Sequence, residues 1–486
     1  MSGKRERDHT FRAIFHKEIL EGFVTRRFLA VLVLCLIVFP VGSIMARRDY
    51  QARLQNYQES VRLYESAHKT ISSVFTDPAK GFRPPSRFSF LSTGLEVVLP
   101  DAAQTVAKYG ATYADMRLTN TQGTDNLYEF FHGPLDFSFL VTVVMTFLAL
   151  AFSYNAVSGE KESGTLAQVL SNSVLRSRII AAKAAAQFLM LAVPFLAGVA
   201  LSLALVPPAA APAGAPSAWY AIGAAVLFSL LTIAAFFNLG LLVSSLTKQA
   251  VTSIVVLLLV WTALFAVVPR LSVIAARFLA PAPSEQAFAQ ERAQIRLANE
   301  KACEAEVDKL IKEYPQPPRA VMQANPRAYP PKEFSDRQAE IRARFQGELV
   351  AEGRKAQQAF DKKRDAQIQM SMLVARISPV SCYVRPLAEI AGTGWLEYKR
   401  FIETVGRFQQ NLNDEIYSKN RYQRMQGGAG FGFTGKADAP LPRLADVRIP
   451  FGDVMRDVLP DFVILLLFNT LFFAGAFVAF LRYDPR

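Results

Sequence analysis

Residues 26–48 read RRFLAVLVLCLIVFPVGSIMARR. Between the arginine pairs, Phe28–Met45 is uncharged. At about 1.5 Å per helical residue it reaches roughly 27 Å, close to the ~30 Å hydrocarbon thickness of a bilayer. It is apolar on every side, which suits lipid or a bundle interior rather than a soluble surface. Outward from it, five more runs of this kind follow, at 137–154, 184–206, 218–243, 250–268 and 461–481. Pro207-Pro208 and Pro269 end the third and fifth. The expected fold is an all-α membrane protein: a six-helix bundle with two long inserted segments, 46–136 and 269–460. A cleaved leader is the rival reading of the first run. It is disfavoured because Ile44 and Ala46 form a poor small-residue cleavage pattern after an extended charged preface.

Charge sets the expected orientation. The net charge is +13. It divides into +7 on the four short tails and loops, +7 on the long segment 270–457, none on 46–136, and −1 at Asp461. Short flanks rich in Lys and Arg stay on the cytoplasmic side, whereas long segments escape that rule. The N-terminal tail 1–27, the loop 155–183, Lys248 and the tail 482–486 are therefore expected inside, and both inserts outside. A nucleic-acid surface would need one dense basic cluster, which this spread lacks. Within the tail, Phe11, Ile14, Phe15, Ile19 and Phe23 fall near one helical face and Lys17 and Glu21 near the other, the pattern of a helix lying in the membrane interface.

The second insert reads as an antiparallel helical hairpin, with coiled-coil character. Ser284–Tyr314 places Phe288, Ile295, Ala302, Leu310 and Tyr314 on one stripe. Glu333–Ile377 does the same with Ile341, Phe345, Leu349, Ala356 and Phe360. The Pro-rich stretch 315–331 cannot continue a helix. The first insert begins helically and its remainder is mixed or mainly helical. Of the three cysteines, Cys35 lies in the first run. Cys303 and Cys382 share the second insert, but Cys303 falls about 28 Å up its helix, too far for a bridge.

The loop between the second and third runs carries the most chemistry: Asn155–Lys183, NAVSGEKESGTLAQVLSNSVLRSRIIAAK. Glu160 and Glu162 bracket Lys161, Gly164 and Thr165 precede the apolar Leu166–Leu170, and Arg176, Arg178 and Lys183 follow. A short helix with a charged start and an apolar face suits a partner's groove. The plain alternative is a connecting loop.

This segment resembles the coupling-helix region of ABC-2-type permeases, with an E-x-E-x-G-T-L start, a leucine-rich helix, a Ser/Val/Arg turn and a lysine entering the third span. Glu160, Glu162, Gly164, Thr165, Leu166, Leu170, Ser171, Val174, Arg176 and Lys183 stand at matching positions. Ser173 departs from a common proline. The C-terminal half is similar to a permease subgroup with a large outer insertion between the fifth and sixth spans, through Pro283-Ser284-Glu285, Ser378-Pro379-Val380-Ser381, Ala391-Gly392-Thr393-Gly394 and the closing Arg482-Tyr483-Asp484. The resemblance implies a multi-pass protein of the bacterial plasma membrane, surrounded by lipid. A separate ABC ATPase subunit binds ATP and magnesium and seats on Glu160, Glu162, Gly164, Thr165, Leu166, Leu170 and Arg176. A second permease subunit, identical or not, completes the complex. No cofactor and no catalysis are expected on this chain. The alternative is a mechanotransmitting or scaffolding subunit that moves or recruits an outer partner without conducting substrate.

Gly430-Phe-Gly-Phe-Thr-Gly435-Lys436 matches two phosphate motifs by letter. Neither a preceding buried strand nor a following helix is expected, and Ala437 replaces the hydroxyl residue that would hold magnesium. It reads as a Gly-rich loop. His9, His16, His68 and His132 are scattered and form no metal pattern.

Overall fold

The computed structural model describes residues 2–24, 26–67, 80–96, 98–106, 115–119, 135–166, 168, 175–207, 218–314, 332–413, 422–424, 431–433, 444 and 449–483. Leu170, Ser171, Ser173, Val174, the proline-rich stretch 315–331 and most of the Gly-rich motif lie outside them.

Among the described residues six helices are long and apolar enough to cross a membrane, and the fold is all-α with little strand, as the apolar runs require. Helix α1 is Ser2–Val24 and α2 is Arg26–Ala67. Helix α3 combines Phe137–Phe139, a π-helical stretch Leu140–Met145, and Thr146–Ser153. A short α4, Ser158–Glu162, precedes α5, Arg176–Leu205, and α6, Ala218–Leu246. Helix α7 combines Ala250–Thr262, a second π-helical stretch Ala263–Val267, and Val268–Leu279. The hairpin pair is α8, Glu285–Glu313, and α9, Lys332–Ala375. Two shorter helices follow, α10, Ser381–Ala391, and α11, Trp395–Asn413, and the last span is α12, Phe451–Leu481.

In the bundle α2 packs on α5, and α6 packs on both α3 and α12. Of the most apolar window, 61% is buried for α6 but only 11% for α7 and for α12, so α6 is the centre and the last two spans form its outer flank. Small residues set the crossings. A Cβ at Gly198 of α5 would lie 2.8 Å from the Cys35 carbonyl of α2, and one at Gly240 of α6 would overlap Ser153 Oγ of α3. Both backbones approach as closely as membrane helices do when a small residue stands at the contact. Thr142, Thr146, Ser153, Ser202, Ser229, Thr232 and Ser245 donate to carbonyls four residues back, which satisfies their hydroxyls inside an apolar core. At the two π-helical stretches, Trp261 Nε1 donates to Thr146 Oγ1 at 2.9 Å, and the Trp261 and Phe265 rings stack at 5.1 Å.

One face of the bundle carries the 155–183 loop and is called the loop face; the other carries both inserts. On the insertion face α2 runs on without a break to Ala67. Strands β1 (Lys80–Phe82), β2 (Ala102–Val106) and β3 (Asp115–Thr119) then form an antiparallel sheet with Phe82 opposite Ala102 and Ala102 opposite Thr119. The first insert is thus mixed, with a sheet that its weak periodicity hid. The two inserts share a core, because Ala103 of β2 packs against Phe401 and Val405 of α11. Thr393 Oγ1 donates to the Ser92 carbonyl, and Arg53 of α2 pairs with Glu96 at 2.8 Å.

The hairpin closes through few apolar contacts. Phe288 and Phe360 stack at 4.3 Å, Val307 and Leu310 are buried, and Tyr314 meets the Phe334 ring edge-on at 5.7 Å. Ser284 caps α8 by accepting from Ala287 N, and Arg337–Glu313 and Arg344–Glu306 bridge the two helices. All three cysteines are free; Cys382 Sγ sits 3.4 Å from the Arg376 carbonyl. Phe431–Phe433 of the Gly-rich motif is not loop but strand β5, paired with β4, Tyr422–Arg424.

Candidate functional site

On the loop face, α4 places three consecutive charges where three different parts of the bundle end. The short helix starts because Ser244 Oγ of α6 accepts from the N–H groups of Val157 and Ser158, both at 3.0 Å. Those are donors that the first turn of a helix leaves without intrahelical partners. It ends at Gly164, whose φ of +72° is the left-handed conformation that glycine adopts without steric cost.

Glu160 pairs with Lys183 of α5, and Lys183 also holds Glu18 of α1 at 3.1 Å. The Lys183 side chain is only 8% exposed, so the two carboxylates supply the polar surroundings its ammonium needs. Lys161 donates to the carbonyls of Ser245 and Thr247, the latter at 3.1 Å, at the C-terminal end of α6. That is the end at which a helix presents unpaired carbonyls and favours a cation. Its ammonium also lies 4.8 Å from the Tyr483 ring centre. Glu162 Oε2 accepts from Ala250 N at 3.0 Å, at the first turn of α7. Arg176 donates to the carbonyls of Leu481 and Tyr483 at 3.1 and 2.8 Å, at the end of α12.

Of the residues singled out by sequence, Glu160, Glu162 and Arg176 are brought to the ends of α5, α7 and α12. Leu166 is buried in the main core, whereas Gly164 and Thr165 are exposed, Thr165 Oγ1 lying 2.8 Å from Ser163 Oγ. Leu170 lies outside the described residues. Glu18 and Ser244 join the site without having been marked, and Tyr483, matched only in the closing Arg482-Tyr483-Asp484, had been given no role in it. Their separation in sequence, up to 307 residues for the Arg176–Tyr483 contact, left no local signal.

The chain matches the family model described as ABC-2 family transporter protein over residues 12–484. It belongs to that family. No curated protein matches the chain. The protein is a membrane permease of an ABC transporter, the membrane-spanning subunit and not the ATPase, and the family implies an ABC ATPase partner.

In the permease interior, Asn238 of α6 donates to Asn469 of α12 at 3.1 Å, and Asn469 donates to the carbonyls of Leu231 and Leu465. These asparagines bond helix to helix, as polar residues between membrane helices commonly do. Asp461 is fully buried. Arg376 at the foot of the hairpin pairs with it at 2.9 Å, and Arg385 of α10 pairs with both Asp461 and Asp457, the latter at 2.7 Å. Nearby, Glu389 Oε1 accepts from Trp395 N at 3.0 Å and caps α11; burial pushes its carboxyl up to about 7.

Proposed function

We propose that the permease couples ATP hydrolysis on a separate ATPase subunit to export, through the loop around Glu160–Leu170. The supporting observation is the division of labour in α4. Glu160, Lys161 and Glu162 each bond a different region, reaching α1 and α5, α6 and α7 respectively, while Arg176 reaches α12. A partner that displaces α4 therefore acts directly on α5, α6 and α7, and through Lys183 and Arg176 of α5 on α1 and α12. In this reading ATP and magnesium sit on the partner and two permease subunits form the complex. The chain lies in a bacterial plasma membrane with both termini cytoplasmic and both inserts outside, and it joins the subgroup with a large outer insertion.

One observation favours mechanical output over conduction through the protomer. Seven of the span hydroxyls, Thr142, Ser229 and Thr232 among them, donate back to their own helices, and Asn238 donates to Asn469. The hairpin, tied to α12 through Arg376 and Asp461, is then the moving part, and an outer-face partner the element moved.

Purification of tagged protein from mild detergent, wild type beside Glu160→Ala/Glu162→Ala, tests the coupling. Co-purification of an ATPase with the wild type and its loss or uncoupling in the variant is expected. A wild type that brings down no ATPase would overturn the proposal.

A further inference from the structure

The turn 392–395, between α10 and α11, is anchored on two sides. Towards the first insert, Thr393 Oγ1 donates to the Ser92 carbonyl at 2.9 Å, and the Thr393 carbonyl accepts from Leu95 N at 2.9 Å. This turn is therefore a joint between the two inserts. From the other side, Glu389 of α10 reaches under the turn to the first N–H groups of α11. Its Oε1 accepts from Trp395 N at 3.0 Å and from Leu396 N at 3.4 Å, and Leu396 N lies 3.2 Å from Oε2. A Cβ at Gly394 would overlap the Glu389 carboxyl, so only glycine lets the carboxyl close on this helix end.

The carboxyl sits where a charge is expensive. Glu389 is buried, and the charges that face it are Arg385 on its own helix and Asp457 of α12. Asp457 and Asp461 already hold Arg385 and Arg376, so of these three carboxylates and two guanidiniums Glu389 is the one left over. Around the joint stand Glu96, paired with Arg53, Asp136, which accepts from Thr93, and Glu397 in the first turn of α11. Burial pushes the Glu389 carboxyl up to about 7; Asp457 adds to the rise, and Arg385 and the two N–H groups oppose it. Because Oε1 accepts from both N–H groups, Oε2 can carry a proton while the cap persists. Glu389 also lines, with Arg376 and Asp461, a cavity of about 610 Å3 on the insertion face, which has room for the water that delivers the proton.

We propose that Glu389 is a proton-operated latch on the joint between the inserts: protonated it holds the turn 392–395 closed, and on losing its proton it drives the joint open. An opened turn releases the carboxylate to water, where its ordinary value of 4.5 returns. The closed state therefore binds the proton more tightly than the open one. Rising pH shifts the balance towards opening, by at most about tenfold per pH unit between roughly 4.5 and 7, and no further above that. The latch needs no ATPase and stands or falls separately from the coupling proposal.

Hydrogen exchange read by mass spectrometry tests it on the full-length protein in detergent, from about pH 5 to 8.5, with labelling times scaled to the intrinsic exchange rate at each pH. In the wild type, protection of 393–398 is expected to fall by roughly tenfold or more between about pH 5 and 7 and then to level off. Protection of 88–96 is expected to fall in step, because Thr393 ties that segment to the turn, while α5 and α6 stay unchanged. Glu389→Gln is neutral at every pH and keeps an oxygen for Trp395 N, so its joint is expected to stay protected throughout. Glu96, Asp136, Glu397 and Asp457 are all present in that variant, so a fall that persists there belongs to one of them and overturns the proposal. A flat wild-type profile overturns it too, as does a fall confined to 393–398 with 88–96 still protected. Should Glu389→Gln fail to fold, the wild-type profiles of the two segments still decide.

Discussion

Replacing Lys183 by methionine would leave Glu18 and Glu160 facing each other without their cation. Removing one member of a buried charge cluster costs about 3–5 kcal/mol. Glu160 keeps 30% of its side chain in solvent, so the lower end applies. The melting temperature of purified Lys183→Met should fall by several degrees, and Glu18→Gln/Glu160→Gln in the same background should recover part of it. An unchanged melting temperature would show that the cluster contributes nothing. Glu389 supplies a second test at this scale, with the opposite sign from an ordinary carboxylate. Its folded-state value, about 7, lies above the usual 4.5. The folded protein therefore holds the proton that the unfolded chain has lost. The contribution of Glu389 to stability is fully present below about pH 4.5 and declines as pH rises through 7, by roughly 3 kcal/mol at most. Glu389→Gln, which keeps an oxygen for Trp395 N, should flatten melting temperature against pH across that window. A profile identical to wild type would remove Glu389 as the cause.

At the scale of elements, α3 and α6 meet where Gly240 leaves room for Ser153 Oγ. Gly240→Ala forces the helices apart or Ser153 off its rotamer, and overpacking of this kind costs about 1–3 kcal/mol. Gly240→Ala/Ser153→Ala should recover part of the loss in a thermal melt, since the clashing oxygen is gone. Failure of the second substitution to help would place the damage elsewhere. The apolar runs themselves were fully legible, because a bilayer demands about 20 residues of helix whatever surrounds them. The two hairpin helices were legible for the same local reason, each apolar stripe lying within one stretch of chain. The three-stranded sheet was not. β1 and β3 flank β2 from either side at separations that no short window spans, and strands of three to five residues carry almost no periodicity.

Across the whole molecule, Asp461 joins the hairpin to the last span through Arg376 and to α10 through Arg385. Asp461→Asn would leave the two arginines short of a counter-charge, at about 3–5 kcal/mol. Hydrogen exchange should then rise through the foot of α9 and through α10, with α2, α5 and α6 unaffected; uniform protection would show that the hairpin is held by packing alone. The run around Asp461 was read correctly as membrane helix, but the arginines that pair with its carboxylate left no local signal. The partners come from 85 and 76 residues away. The same holds for the loop face, where Glu160 and Arg176 stood out by pattern while Glu18 and Ser244 did not. By itself the sequence determined the six spans, the hairpin and the charged loop, because apolar length, helical period and proline act over neighbouring residues. Only the tertiary structure decided which helix ends the loop binds, that the two inserts share one core, and that two arginines enclose Asp461 beside a cavity. Those depend on contacts between distant segments, and a charge or a small residue does not announce its partner until the helices are packed.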